Sequence, residues 1–397
     1  MSRVHVAGAG QISAIGHSVL EAFRALKNEK TGIGSLTLFK SHHQALPVGE
    51  VKLSDAALAD ALSISKNNSR TTLFGLHAAR EAVQNSGISD LKKWRTAFIS
   101  ATTVGGMDRT ENFFTDYSLN SAKGKLRDVV HHACGSSTDI IANALGVNGF
   151  RTTVNTACSS SVNSIMLGAR LIKASLADIV IAGGTDALTK FTLNGFNSLM
   201  ILDKEPCKPF DAGRNGLNLG EGAGFLVLVS DRVVETEKLN PVGHVSGFGN
   251  STDAYHQTAS SPEGRGSYSA MKIALAMSGL SGGDIDYINL HGTGTLNNDL
   301  SEGTAVKRLF GENAPRLSST KTFTGHTLGA SGGIEAVFSM LAIENQCVFP
   351  NLRFQNSMPE HELAPQISFE QELPIHHVMS NSFGFGGNCS SVIFSKN

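Results

Sequence analysis

The chain has 397 residues, of which 41% are hydrophobic and 17% are charged, and 33 Lys and Arg against 34 Asp and Glu give a net charge of −1. This length can bury a large core without disulfide or metal staples, and the charge balance argues against a basic nucleic-acid binder or an acidic disordered chain. Glycine is abundant at 42 residues and proline scarce at 10, which indicates tight junctions between strands and helices rather than disorder.

Apolar runs rich in β-branched residues alternate with helical stretches along the chain. The predicted elements are, in order, a strand at 4–7, a helix at 71–86, strands at 98–100 and 154–156, a helix at 159–175, strands at 178–182 and 222–229, a helix at 267–277, a strand at 287–290, a helix at 334–345 and a strand at 392–394. Such alternation predicts an α/β protein with largely buried sheets. The charged segment 231–242 is the best candidate for a joint between two parts.

The two sides of that joint resemble each other weakly, because each opens with a strand of similar composition, near residues 4 and 241. A duplicated βα unit explains this likeness, and chance explains it almost as well.

The cysteines are odd in number and widely scattered, and they form no CxxC pair: Cys134, Cys158, Cys207, Cys347 and Cys389. This pattern predicts neither a disulfide framework nor a metal site. The first residues lack the apolar core of a signal peptide, and no apolar run approaches the ~18 residues of a membrane span. We therefore expect a cytoplasmic protein with no membrane span.

One cysteine is a candidate nucleophile. Cys158, in the run Thr156-Ala-Cys-Ser-Ser-Ser161, lies between a predicted strand and a predicted helix. The free N–H groups and the dipole of the helix N-terminus favour a thiolate at such a position. The alternative is a small buried hydrophobic residue at a turn, which is the commoner use of a lone cysteine.

Two histidines lie on glycine-rich segments, one after a predicted strand and the other before a predicted helix. His291 opens the run His-Gly-Thr-Gly-Thr, and His326 follows Lys321 by five residues and precedes Glu335 by nine. Each histidine alone is more often structural. Together with one activatable cysteine, they predict covalent acyl transfer through a thioester.

Four motifs occur in a fixed order: Thr156-Ala-Cys-Ser-Ser-Ser, His291-Gly-Thr-Gly-Thr, Lys321 with Gly-His326-Thr-Leu-Gly-Ala-Ser-Gly, and Asn381-Ser-Phe-Gly-Phe-Gly-Gly. In this order and at these separations, the chain resembles the elongating β-ketoacyl-[acyl-carrier-protein] synthases, the decarboxylating condensing enzymes of fatty acid and polyketide assembly. The likeness covers nearly the whole chain. It implies the thiolase fold, an α/β architecture of five αβαβα layers built from two similar βα halves, with residues 1–240 carrying the nucleophile and 241–397 the two histidines.

The resemblance also implies roles for individual residues. Cys158 would take the acyl chain as a thioester, and His291 and His326 would hold the malonyl thioester carbonyl. Lys321 and Glu335 would support the histidines, while the backbone N–H groups of Cys158 and Phe385 would form an oxyanion hole. Further implied sites are the pantetheine-binding Thr293 and Thr295, the gate and acyl pocket at Phe383, Phe385, Val104 and Phe196, and the carrier-docking Lys66, Arg70, Lys125, Arg127 and Lys208.

The implied partner is an acyl carrier protein, which brings the phosphopantetheine, so we expect no resident cofactor, no metal and no nucleic acid. The family usually forms dimers, so we expect a homodimer, with a heterodimer with a chain-length factor as the alternative. A second reading makes the chain itself a non-catalytic chain-length factor, although such subunits usually lack the nucleophile. A thiolase or an initiating synthase fits less well, because those use a second cysteine or a His–Asn pair.

The sequence departs from the family pattern in three places. The C-terminal loop reads Gly-Gly-Asn388-Cys389 in place of Gly-Gly-Thr-Asn, Leu217-Asn218 stands in place of Phe-Val, and Ser69 replaces a common basic residue. These departures leave the substrate open, among fatty acid, polyketide and aryl polyene synthesis, and do not affect the predicted reaction.

Overall fold

A computed structural model describes residues 3–397. The strands in this range are β1 (Val4–Ser13), β2 (Ile33–Gly34), β3 (Val48–Gly49), β4 (Thr96–Ala101), β5 (Arg151–Val154), β6 (Ile179–Asp186), β7 (Gly222–Ser230), β8 (Gly243–Thr252), β9 (Tyr287–Asn289), β10 (Arg316–Ser318), β11 (His377–Gly384) and β12 (Asn388–Lys396).

The α-helices of the same range are α1 (Val19–Lys27), α2 (Asp55–Leu62), α3 (Arg70–Asn85), α4 (Met107–Leu119), α5 (Cys134–Ala144), α6 (Ser160–Lys173), α7 (Lys190–Ser198), α8 (Asp231–Glu237), α9 (Arg265–Ser278), α10 (Leu296–Phe310), α11 (Lys321–Thr324) and α12 (Ser331–Asn345). Between residues 3 and 397, no helix is long and apolar enough to cross a membrane.

The sheet order repeats within the chain. Of the strands in residues 3–397, ten are hydrogen-bonded in the order β10-β9-β11-β12-β8-β1-β7-β6-β4-β5. From the seam between β8 and β1, each side runs through its first, fifth, fourth, second and third strand in chain order. The fourth, second and third are parallel to one another, and the fifth is antiparallel to both of its neighbours on each side. Duplication of one βα unit produces this repeat, so the prediction of two similar halves is confirmed. The division at residue 240 stays a prediction.

Helices α6 and α12 lie between the two halves of the sheet, since each contacts strands of both. Helix α6 contacts β4, β6, β8 and β12, and α12 contacts β6, β7, β11 and β12. Every residue from Ser331 to Ile343 of α12 is buried, as expected of a helix enclosed on all sides. Helix α3 covers β1, β6 and β7, and α9 covers β8 and β12. These contacts complete the five αβαβα layers.

Several predicted strands are longer in the structure, with β1 continuing to Ser13 and β6 to Asp186. Two predicted elements differ in burial or in type. The predicted strand at 154–156 is β5, which ends at Val154, forms the edge of the sheet and is partly exposed. Its exposure follows from pairing on one side only. The predicted joint at 231–242 contains the helix α8, whose first residue, Asp231, places a negative charge at the helix N-terminus.

Candidate active site

The cysteine and both histidines of the sequence prediction meet in one buried place. Cys158 lies between β5 and α6, His291 follows β9, and His326 follows α11. The sulfur of Cys158 and one ring nitrogen of each histidine all lie within 4.8 Å of one another. The two histidine rings are perpendicular, with centroids 5.3 Å apart. Both halves of the chain therefore contribute to a single site.

The turn before α6 places the nucleophile. Ala157 has a φ of 54°, in the left-handed region, where a side chain is uncommon and often marks a functional turn. The backbone N–H groups of Phe385 and of Cys158 itself interact with the Cys158 sulfur. These are the two donors of the predicted oxyanion hole, and both act on the Cys158 sulfur.

The net effect on the Cys158 thiol differs from the sequence prediction of a stabilised thiolate. Burial raises the pKa of this thiol to about 11, although the charge of Lys321 and the two N–H groups act in the opposite direction. Desolvation therefore outweighs the opposing contributions, and the predicted direction of the pKa shift is wrong. The raised pKa favours the neutral thiol.

The hydrogen bonds of His326 fix its tautomer. The backbone N–H of Leu328 donates to Nδ1 at 3.0 Å, and the Ser331 hydroxyl lies 3.2 Å from the same atom. A backbone N–H can only donate, so Nδ1 is the acceptor and the neutral ring carries its hydrogen on Nε2. Burial and the charge of Lys321 lower the pKa of His326 well below its ordinary value, which keeps the ring neutral.

A side chain, rather than the backbone, gives His291 the same tautomer as His326. The Lys321 ammonium lies 3.2 Å from Nδ1 of His291 and 2.5 Å from Oε1 of Glu335. An ammonium donates and does not accept, so His291 also carries its hydrogen on Nε2. Burial, followed by the charge of Lys321, lowers the pKa of His291 well below its ordinary value. Both rings line the cavity beside Cys158 and can donate Nε2–H to a substrate oxygen.

The spacing of Cys158, His291 and His326 is also one that a metal ion could use. The hydrogen bonds oppose that use, because a ring whose Nδ1 accepts has its hydrogen on Nε2 and no lone pair there for a metal. We therefore interpret the cluster as one nucleophile and two hydrogen-bond donors.

Two buried carboxylates that the sequence analysis missed hold the loop after His291. Glu302 accepts the backbone N–H groups of His291 and Gly292 at 2.9 and 2.8 Å. Asp299 accepts those of Thr293 and Gly294 at 3.1 and 3.2 Å. Both residues lie on α10, three positions apart and fully buried. Two acidic residues at i and i+3 on an otherwise small-residue face were the available signal.

A cavity of about 200 Å³ opens from Cys158. Its lining includes the predicted pantetheine residues Thr293 and Thr295 and the predicted gate residues Phe196, Phe383 and Phe385. The rings of Phe196 and Phe385 stack with centroids 5.7 Å apart. The stacked pair therefore forms part of the cavity wall.

Val104 does not line this cavity. It is packed in the hydrophobic cluster against which Phe196 also packs, with its backbone N–H on Asp186. Val104 therefore supports Phe196 from behind the cavity wall, and its predicted place in an acyl pocket stays a prediction.

Arg70 is a correction among the predicted docking residues. Only 9% of it is exposed, and its guanidinium bonds to both carboxylate oxygens of Glu221 at 3.0 and 2.7 Å. A group held in this way cannot reach a carrier protein, and Arg70 instead fastens α3 to the start of β7. Lys66, Lys125 and Arg127 are exposed, with Lys66 paired to Asp60, and Lys208 is half-buried.

Comparison with known proteins decides the family. Residues 1–233 match the beta-ketoacyl synthase N-terminal domain, and residues 242–355 match the beta-ketoacyl synthase C-terminal domain. The chain belongs to the beta-ketoacyl synthase family. A relative, the 3-oxoacyl-[acyl-carrier-protein] synthase 2 of Staphylococcus aureus, is 34% identical over 99% of this chain and 98% of its own length.

Solved structures of this family share the fold. The ishigamide ketosynthase/chain length factor superposes with a TM-score of 0.93 at 28% identity, covering 100% of this chain and 99% of that one. The ketosynthase ApeO of Xenorhabdus doucetiae, solved in complex with its chain length factor ApeC, gives a TM-score of 0.86 at 32% identity, with coverage of 100% and 98%. The thiolase-fold prediction is thereby confirmed.

Proposed function

We propose that this beta-ketoacyl synthase is an acyltransferase that condenses an acyl group held on Cys158 with malonyl-acyl carrier protein, giving 3-oxoacyl-acyl carrier protein. The observation that carries the proposal is the convergence of the Cys158 sulfur and one nitrogen each of His291 and His326 within 4.8 Å. A nucleophile beside two neutral imidazoles, each with Nε2–H available, suits a reaction that first forms a thioester and then an enolate.

In the first step the Cys158 sulfur attacks the thioester carbonyl of an acyl carrier protein. The carbonyl oxygen becomes negative in the tetrahedral intermediate and accepts from the N–H groups of Cys158 and Phe385. Collapse of the intermediate breaks the carrier's carbon–sulfur bond, and the proton of the Cys158 thiol ends on the departing carrier thiol. The high pKa of Cys158 means that this proton leaves only as attack proceeds.

In the second step malonyl-carrier protein places its thioester oxygen between His291 and His326. Loss of CO₂ leaves the electron pair of the broken carbon–carbon bond in an enolate, whose oxygen accepts both Nε2–H groups. The enolate carbon then attacks the acyl carbonyl on Cys158 and forms the new carbon–carbon bond. The Cys158 sulfur leaves as a thiolate and takes one proton from solvent. These steps use no resident cofactor or metal.

We propose a homodimer as the working form. Helix α4 has no buried residue along its length, and it exposes Phe114, Tyr117 and Leu119. The unpaired edge of β5 is also left open. A second chain would cover both features, which single domains ordinarily hide. A heterodimer with a chain-length factor is the alternative, supported by the ketosynthase structures solved with that subunit.

Five free cysteines suit a reducing compartment, and we place the enzyme in the cytoplasm.

The pathway is open between fatty acid synthesis and the polyketide or aryl polyene type. The 3-oxoacyl-[acyl-carrier-protein] synthase 2 relatives support the first, and the likeness to ketosynthases solved with a chain length factor keeps the second open. The alternative of a non-catalytic chain-length factor is disfavoured, because Cys158 and both histidines are present in working geometry.

The test is mass spectrometry of the enzyme after incubation with a panel of acyl carrier proteins that differ in chain length and unsaturation. We expect one acyl adduct per chain on the peptide containing Cys158, and the preferred chain identifies the substrate class. Cys134→Ala, which removes a more exposed cysteine, should load normally, while Cys158→Ala should not load. Acylation elsewhere, or none from any carrier, would overturn the proposal.

A further inference from the structure

The departure at Asn218 has a structural role that the reaction does not explain. Asn218 is buried, and its neighbours Leu217 and Leu219 pair with Leu202 on one side and His326 on the other. The carbonyl of Asn218 accepts the backbone N–H of His326 at 2.7 Å. This short segment therefore separates the second catalytic histidine from the chain at 201–203.

The side chain of Asn218 points away from His326 and forms its hydrogen bonds with a single turn. Its Oδ1 accepts the backbone N–H of Cys207 at 2.7 Å, and its Nδ2 donates to the carbonyls of Glu205 at 3.1 Å and Asp203 at 3.3 Å. One amide thus satisfies three backbone groups of the turn at 203–207. The valine that the family usually has at this position offers neither donor nor acceptor.

That turn lies at the rim of the cavity. Met200 and Ile201, immediately before it, line the cavity with Cys158, and Lys204 and Glu205 within it are exposed. At its end, the Cβ of Cys207 lies 3.3 Å from where a Cβ on Gly294 would lie. Gly294 separates the two threonines predicted to bind pantetheine, so the turn borders the path of the substrate arm.

A second side chain holds the same turn. Arg353 donates Nε–H to the carbonyl of Cys207 at 3.0 Å and an Nη2–H to the carbonyl of Thr322 at 2.8 Å. Cys207 is thereby fixed on both sides, by Asn218 and by Arg353. A turn whose exposed tip is held at buried ends by hydrogen bonds to residues outside it is kept in one conformation despite its contact with solvent.

We propose that Asn218 is a positioning residue that holds the 203–207 turn as part of the rim against which the carrier protein and its pantetheine arm are seated. The inference rests on the proposed function, since it assumes a carrier-bound substrate. A substrate attached to the carrier meets the rim, whereas a small thioester reaches Cys158 without needing it. Asn218 therefore affects carrier-dependent binding and leaves the chemistry at Cys158 and the histidines unchanged.

The test compares Asn218→Val with the wild type in steady-state CO₂ release from malonyl-carrier protein. Losing the three hydrogen bonds should raise the KM for the carrier about 5- to 20-fold, with kcat within about twofold of wild type. Acylation of Cys158 by hexanoyl-N-acetylcysteamine, which lacks the carrier protein, should also stay within about twofold. An unchanged KM, or a kcat that falls as much as KM rises, overturns the inference.

Two controls keep the result interpretable. Asn345→Val removes an amide hydrogen bond at the far end of α12 and should change neither constant. Hydrogen exchange of the 203–207 peptide should be slow in the wild type and at least tenfold faster in Asn218→Val or Asn218→Asp, with 321–326 unchanged. Fast exchange of this peptide in the wild type overturns the inference even if the variants fail to fold. A wild type that releases no CO₂ refutes the proposed function instead.

Discussion

His291 and His326 present the same Nε2–H to the same cavity, but different kinds of partner hold their Nδ1 atoms. His291 depends on the charged side chain of Lys321, which is itself tied to Glu335. His326 depends on the backbone N–H of Leu328, with the Ser331 hydroxyl beside it. A side-chain donor can be removed by substitution, and a backbone donor remains. The two histidines should therefore contribute equally to the reaction and respond differently to changes around them.

Removal of either imidazole tests whether the two histidines contribute equally, and we expect it to lower the reaction rate more than the other substitutions do. His291→Ala and His326→Ala should each lower the rate of CO₂ release from malonyl-carrier protein by about 10²–10³, the usual loss for one oxyanion donor. Because both donors serve one oxygen, the double variant should lose less than the product of the two effects. A single variant with a full decarboxylation rate contradicts the assignment of that histidine.

Lys321→Met removes the donor to Nδ1 of His291 and leaves the donor to Nδ1 of His326 in place. Without the ammonium, nothing holds the hydrogen of His291 on Nε2, and we expect a loss of about 10–100-fold in CO₂ release, the value of one hydrogen bond to a charged group. The charge of Lys321 also helps to lower the pKa of His291. Its removal raises that pKa, so the decline of the rate on the acid side should begin at a higher pH than in wild type.

This variant also leaves Glu335 buried beside no cation, which costs stability of about 3–5 kcal/mol for a broken buried pair. The double variant Lys321→Met/Glu335→Gln separates the two effects, because it removes the unpaired charge and leaves His291 without its donor. We expect its melting temperature to recover and its decarboxylation rate to stay low. Recovery of both would show that Lys321 acts through stability alone.

Ser331→Ala is the matching change beside His326, and we expect it to lower the rate of CO₂ release the least. The backbone N–H of Leu328 still donates to Nδ1 of His326, so the tautomer is kept and CO₂ release should stay within about threefold of wild type. The measurement is the same decarboxylation assay with the same pH series. A loss as large as that of Lys321→Met would show that the hydroxyl, not the backbone, holds the ring.

The sequence was sufficient for the parts of this site that are carried by local motifs. The Cys158 turn is predicted from its place between a strand and a helix, and the His291 and His326 loops are predicted from glycine spacing and residue type. The fold follows from the resemblance of these motifs to one family. The predicted direction of the shift in the Cys158 pKa is wrong, because a helix N-terminus is visible in the sequence whereas the depth of burial is not. Burial depends on layers contributed by both halves.

Residues that act through long-range contacts were missed or misassigned for the same reason. Arg70 has the residue type of a docking position, but Glu221, 151 positions away, removes it from the surface. Glu302 and Asp299 show in the sequence only as two acidic residues three positions apart, because their backbone N–H partners leave no mark of their own. Asn218 stands out in the sequence only as a departure from the family pattern, because its side-chain partners are backbone groups of the turn at 203–207.

Thioester formation at Cys158 and decarboxylation at the histidine pair are separate tasks in this mechanism. CO₂ release from malonyl-carrier protein by Cys158→Gln, whose amide replaces the thiol in the same cavity, tests that separation directly. We predict continued release of CO₂ with no 3-oxoacyl product, because His291 and His326 still receive the enolate oxygen and no acyl-enzyme can form. A folded Cys158→Gln enzyme that binds malonyl-carrier protein and releases no CO₂ would contradict the two-histidine assignment.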